Sequence, residues 1–233
     1  MKNYELTIED GKVTFIDRFI EKDGEFDDVD GILYIPKEVK ELFATESVIG
    51  CYPEDIIVEE GNESYCARQH CLFTKDGREF LMISKKSIIP MDTKIIGASV
   101  FAPPLQLPEN MCPPVLPQKL EEIRYRGLAT ENEGTASVVI PITVKKIGLM
   151  GLMIHSPKVG IDFIGDPELE IGVFGTKAEA MDLGDEYDTV YKELPDLMYI
   201  DPKTLHVYAH EGTGVIEYCK KYCIPYVEKK RHQ

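Results

Sequence analysis

Between Ala102 and Gln118 the chain places six prolines, Pro103, Pro104, Pro108, Pro113, Pro114 and Pro117. Each fixes φ and removes a backbone donor, so neither a helix nor a central strand can run through this stretch. The chain is therefore organised as a part before it and a part after it. We expect a β-rich N-terminal domain over residues 1–102, a Pro-rich linker or strap over 103–117, and an α+β C-terminal domain over 118–233.

In the first part, β-forming residues flank compact turns. Tyr4–Ile8 and Val13–Ile20 lie on either side of Asp10-Gly11, a hairpin signal. Cys71–Thr74 and Arg78–Ile83 flank Lys75-Asp76-Gly77, where strand, turn and strand agree. The run from Glu21 to Asp30 is strongly acidic. It does not form a calcium loop: with Gly31 at the sixth position, Phe26 and Lys37 fall at the first and twelfth, where oxygen ligands are required. It is expected to be a solvated loop. The following segment, Gly31-Ile-Leu-Tyr-Ile-Pro-Lys-Glu-Val-Lys40, resembles the strand-to-helix element of swapped-hairpin bacterial transcription regulators and antitoxins. The resemblance covers ten residues and implies a basic DNA-binding surface, whereas Asp27, Asp28 and Asp30 stand immediately upstream. We therefore expect a strand, a proline opening a helical turn, and a short helix over 37–43.

In the second part, Leu120 and Ile123 at i and i+3 predict a helix over Gln118–Arg126. Strands are predicted at Ser137–Val144, Gly148–Ile154, Gly160–Ile164 and Leu169–Phe174. Thr176 and Glu179 form a capping-box pattern ahead of a helix from Ala178, and a second helix is predicted over Asp188–Leu194. Strands at Leu197–Ile200 and Leu205–Ala209, joined by an Asp201-Pro202-Lys203 turn, and a helix over Val215–Cys223 complete the chain. Strands interspersed with helices point to an α+β fold, with a mixed or mainly antiparallel β-sheet, short helices and room for two subdomains. Ile35-Pro36…Val39-Lys40 and Ile140-Pro141…Val144-Lys145 share one spacing, I-P-x-x-V-K. Two such matches in a chain rich in Ile and Lys are attributed to chance.

The formal net charge is −15, from 41 acidic and 26 basic side chains. Residues 161–202 hold 12 acids against Lys177 and Lys192, while residues 136–160 hold three lysines and no acid. Such a field repels phosphate backbones and favours basic partners. No nucleic-acid or membrane partner is expected. The most apolar run, Ile147 to Ile154, is bracketed by Lys145, Lys146 and Lys158 and falls far short of the ~20 residues that span a bilayer. No apolar segment follows the first lysine, which points to a cytoplasmic location. Cys51, Cys66, Cys71, Cys112, Cys219 and Cys223 are then expected to be free, mostly buried thiols.

Four constellations could carry chemistry. His206-x-x-x-His210 with Cys219-x-x-x-Cys223 offers zinc-type donors, although on a strand the two imidazoles would stand about 13 Å apart. Cys66-x-x-x-His70-Cys71 is a second such cluster. Asp196, Asp201 and Lys203 could hold a magnesium ion and orient a water for hydrolysis. Glu211-Gly-Thr-Gly214 could bring backbone amides to an anion at a helix start. None has motif-grade spacing, and no cofactor is expected. The expected function is that of a non-enzymatic acidic binding module, an immunity-type inhibitor or regulator that engages a basic macromolecular surface. The expected contact residues are Asp162, Asp166, Glu168, Glu170, Asp182, Asp185, Glu186 and Asp188. The alternatives are a metal-assisted hydrolase using Asp196, Asp201 and Lys203, or a metal-binding or Cys-dependent protein using His206, His210, Cys219 and Cys223.

Overall fold

The computed structural model describes residues 2–17, 19–22, 25–28, 31–42, 53–101, 115–184 and 198–230. The chain divides into two compact units, residues 1–93 and 94–233. The proline-rich segment falls largely on residues 102–114, outside those described.

Among the described residues the first unit contains ten strands: β1 (Lys2–Asn3), β2 (Glu5–Glu9), β3 (Lys12–Asp17), β4 (Phe19–Lys22), β5 (Glu25–Asp28), β6 (Gly31–Ile35), β7 (Asp55–Val58), β8 (Tyr65–Arg68), β9 (Cys71–Thr74) and β10 (Glu79–Met82). Both expected hairpins form. β2 and β3 pair antiparallel around Asp10 and Gly11, whose positive φ values of 51° and 79° suit a tight two-residue turn. β9 and β10 pair antiparallel with Phe80 opposite Phe73, closed by Gly77 N–H to the Thr74 carbonyl at 2.8 Å. The acidic run is not a loop: β4 and β5 pair antiparallel. β6 lies between β1 and β7, parallel to both. Leu33, Ile35, Val39, Leu42, Ile56, Leu72 and Met82 pack in one core with Tyr4 and Tyr65. Asn62 is fully buried inside it. Its Nδ2 donates to the Pro36 and Val39 carbonyls, at 2.8 and 3.0 Å. Its Oδ1 accepts from Ser64 N and Tyr65 N, at 2.8 and 2.7 Å.

The second unit is a stack of parallel coils. One ladder joins β11 (Ile95–Ile96), β12 (Glu122–Ile123), β15 (Lys146–Ile147) and β18 (Glu168–Leu169) in parallel register. A second joins β13 (Thr130–Glu131) and β16 (Ile154–His155). A third is a four-stranded parallel sheet of β14 (Thr135–Ile140), β17 (Lys158–Phe163), β19 (Leu205–His210) and β20 (Tyr226–Lys229). Ala136, Val138 and Ile140, then Val159, Ile161 and Phe163, then Leu205, Val207 and Ala209 point inward and are almost wholly buried. The first ladder is edged with opposite charges on successive coils: Lys94 and Lys145 both reach Glu121, and Lys146 meets Glu170 at 2.5 Å.

This architecture overturns the α+β expectation. Among the described residues there are two α-helices, α1 (Lys177–Met181) and α2 (Gly214–Lys221), and the rest is strand and turn. The molecule is mainly β, and its second unit has a β-solenoid arrangement rather than a mixed or antiparallel sheet with helices. The physical source of the error is one recurring turn. Val39 N–H bonds the Pro36 carbonyl, Thr93 the Pro90 carbonyl, Leu120 the Pro117 carbonyl and Val144 the Pro141 carbonyl, all at 3.0–3.2 Å. The donor residue of each is buried, and so is the residue three further on: Leu42, Ile96, Ile123 and Ile147. That spacing imitates a helix face, so helices were expected over 37–43 and 118–126 where the chain turns and bridges. The shared I-P-x-x-V-K pattern is this turn and not chance. The helix expected behind the Thr176–Glu179 capping box and the one expected over Val215–Cys223 do form, as α1 and α2. The helix expected over Asp188–Leu194 lies outside the described residues.

Candidate functional site

Alternation along β14, β17 and β19 buries one set of side chains and turns the other outward. In-register pairing then aligns the outward set in rows across the sheet. One row runs Val139, Asp162, Tyr208, Val227; its neighbour runs Ser137, Gly160, His206. Val139 is 53% and Val227 49% exposed, and Tyr208 is half-buried between them. Asp162 forms an ion pair with Lys229, whose Nζ also donates to the Phe163 carbonyl at 3.0 Å. Gly160 leaves a gap in the second row. A Cβ there would meet nothing nearer than Ser137 Oγ at 3.7 Å, so the gap opens outward. His206 and His210 flank Tyr208 along β19, each with a buried Nδ1 that has no hydrogen-bond partner.

Of the five described acids named from sequence as contact residues, four are engaged within the unit. Asp166 caps α2, its carboxylate accepting Gly214 N and Val215 N at 3.1 and 3.3 Å. The anion at that helix start is thus supplied by the chain itself. Glu170 holds Lys146 and accepts Leu149 N at 3.1 Å. Asp182 takes Lys221 Nζ at 2.6 Å and the Tyr222 hydroxyl at 2.7 Å, which hold its carboxyl below the usual range. Glu168 remains exposed on β18. Asp185, Glu186 and Asp188 lie outside the described residues, as does Asp196.

Asp201 accepts the backbone N–H of Lys203 at 2.9 Å and so caps the short 3₁₀ turn Pro202–Thr204. The two residues form a local turn. His206 and His210 share a strand face four residues apart, about 13 Å along the chain. Cys219 is buried in α2, whereas Cys223 follows the helix end, exposed, with φ at 55°. These four do not converge, and no cluster of three His, Cys, Asp or Glu able to hold a metal occurs among the described residues. Cys66 and Cys71 likewise turn to the carbonyls of Thr74 and Ile88, while His70 bonds Asp55. No helix among the described residues is long and apolar enough to cross a membrane.

The outward sheet face was not singled out from sequence. Its signal was present as three six-residue alternations, T-A-S-V-V-I, K-V-G-I-D-F and L-H-V-Y-A-H. No single strand reveals that the three lie side by side.

No family model matches the chain, and no curated protein does. Among solved structures the chain is similar to the crystal structure of pneumococcal vaccine antigen PcpA, at 16% identity and a TM-score of 0.39. The match covers 85% of this chain and 56% of that one, so the chain spans little more than half of that protein's length. A likeness that shallow carries no argument about fold or function.

Proposed function

We propose that this chain is a non-enzymatic binding module that engages a basic macromolecular surface through the outward face of the β14–β17–β19–β20 sheet. One observation carries this: Val139, Asp162, Tyr208 and Val227 stand in register on a parallel sheet with apolar area open to solvent. Parallel sheets are ordinarily covered on both faces, so an open one with exposed apolar side chains suits a partner. Stacked repeats use such extended surfaces for binding. The net charge of −15 sets the partner's sign by drawing cationic surfaces and repelling phosphate backbones. Because Asp162, Asp166, Glu170 and Asp182 are engaged internally, the acids steer the encounter and the sheet face makes the contact.

A peptide of alternating lysine and aromatic residues tests the proposal, with amide chemical shifts followed during titration. Shifts should centre on β17 and β19, and Tyr208→Ala should weaken binding by about tenfold, as for an aromatic anchor. Association should slow as salt is added. Shifts spread evenly over the chain, or tighter binding to single-stranded DNA than to the peptide, would sink it.

A further inference from the structure

The turn joining β8 to β9 is made of Gln69 and His70, with φ values of 49° and 62°. Two-residue hairpin turns with both φ positive ordinarily take Asn and Gly, so two long L side chains here are a departure from local preference. The surroundings impose it. The His70 carbonyl accepts from Ser84 Oγ and Ser87 Oγ, each at 2.8 Å and each on a buried serine. The Gln69 carbonyl accepts from Ile88 N at 3.2 Å. Backbone strain held in place from outside is a mark of functional positions.

The ring is held as firmly as the backbone. His70 Nδ1 lies 2.8 Å from Asp55 Oδ1, which also accepts Ile56 N at 2.8 Å, and Asp55 Oδ2 lies 3.3 Å from Lys86 Nζ. The Asp55 side chain is only 14% exposed, that of His70 51%. Burial pushes the Asp55 carboxyl up, but hydrogen bonds from His70, Ile56 N and Lys86 outweigh it and hold the group below the usual carboxylate range. An ionised carboxylate can only accept, so Nδ1 carries the ring proton and the lone pair of the neutral ring lies on Nε2. The carboxylate behind the ring fixes its tautomer and orientation. Lys86, paired with the carboxylate, offsets its negative charge, which weakens the site for a metal dication and leaves the ring accessible to a group bearing negative oxygens.

We propose that His70 is a phosphoryl-acceptor site, its Nε2 presented by Asp55 to a small phosphoryl donor. With phosphoramidate as donor, the Nε2 lone pair attacks phosphorus and forms the N–P bond. The donor's own P–N bond breaks, and its electron pair leaves with ammonia, which already carries its three protons. The product is a phosphoimidazolium whose positive charge and Nδ1 proton face the Asp55 carboxylate. Asp55 is the positioning residue of this step and does not touch the donor. The site lies in the first unit and does not depend on the sheet-face reading.

Timed incubation with phosphoramidate tests it, with labelled histidines mapped by mass spectrometry and the isomer identified by phosphorus NMR. His70 should label at least about tenfold faster than His155, His206 or His210, as the Nε2 isomer. Asp55→Asn should slow labelling of His70 about tenfold, the loss expected when a carboxylate behind a working imidazole is removed, and yield both isomers. Asp55→Glu should restore the Nε2 preference, and Lys86→Gln should slow the reaction with no change of isomer. Protection of the buried Cys71 thiol in each variant reports that the turn persists. The proposal is overturned by equal labelling of His70, His155, His206 and His210 or by an Nδ1-linked product in the unaltered chain. An Asp55→Asn rate equal to the original overturns it as well.

Discussion

Asn62 uses all four of its amide's hydrogen-bonding positions on backbone groups of the Pro36 turn and the start of β8. Asn62→Ala strands those groups in the core, and each buried unsatisfied group costs about 1–3 kcal/mol, so a loss of about 3 kcal/mol or more is expected in urea unfolding. Glu179 is the other fully enclosed polar side chain of consequence. Its carboxylate receives Phe174 N, Thr176 N, Thr176 Oγ1 and the Tyr218 hydroxyl, yet burial prevails over these bonds and raises its pKa above the ordinary 4.5. The folded value stands above the unfolded one, so this group's contribution is fully present below the unfolded value and is lost as pH rises through the folded one. Thermal unfolding should therefore show Glu179→Gln with a smaller drop in midpoint than the unaltered chain between pH 4.5 and neutrality. Thiols divide in the same way. Burial pushes Cys71 to about 11 and Cys219 to about 12, so of the four described cysteines a thiol reagent should reach exposed Cys223 first and these two last in native protein.

The turn from proline to a buried residue three positions on recurs through the coils, and it has a companion three residues after each bridge of the first ladder. Ser99, Arg126, Met150 and Gly172 all have positive φ at that place, from 51° to 85°. Gly172 is the sole glycine of the four, and a Cβ there would come within 2.4 Å of Leu149 Cδ1. Gly172→Ala combines a disfavoured φ with a collision that Leu149 must swing away from, so about 1–3 kcal/mol should be lost in thermal unfolding. Local chemistry was legible wherever it is contained within a few residues. Asp10-Gly11 and Lys75-Asp76-Gly77 announced their hairpins, and Thr176 with Glu179 announced α1 with its reciprocal cap. The coils were not legible, because two-residue bridges such as Glu122–Ile123 leave no alternation to detect. Leu120 and Ile123 have the same separation whether they line a helix or flank a turn and a bridge. The outward face was hidden for a related reason: Tyr208 comes to lie beside Asp162 and Val227 only through pairing between strands distant in sequence.

In a stack of coils each layer is stabilised mainly by the layers beside it. Ile147 is fully buried and sits in register between Ile123 and Leu169. Ile147→Ala should cost about 2–5 kcal/mol, and amide exchange should quicken on β12 and β18 as well as on β15. A stack also has ends. Among the described residues β20 pairs on one side alone, with β19. Tyr226 and Glu228 stand in register with the inward residues Val207 and Ala209, but they are exposed, and Lys220 Nζ lies 4.0 Å from the Glu228 carboxylate. A carboxylate at an inward register position makes this edge a poor template for another strand, since an added layer would have to bury the charge. Glu228→Val replaces the obstacle with a residue that welcomes stacking, and light scattering should then show mass rising with concentration where the unaltered chain's holds constant. At this edge a single carboxylate stands between a closed sheet and one that invites the next strand.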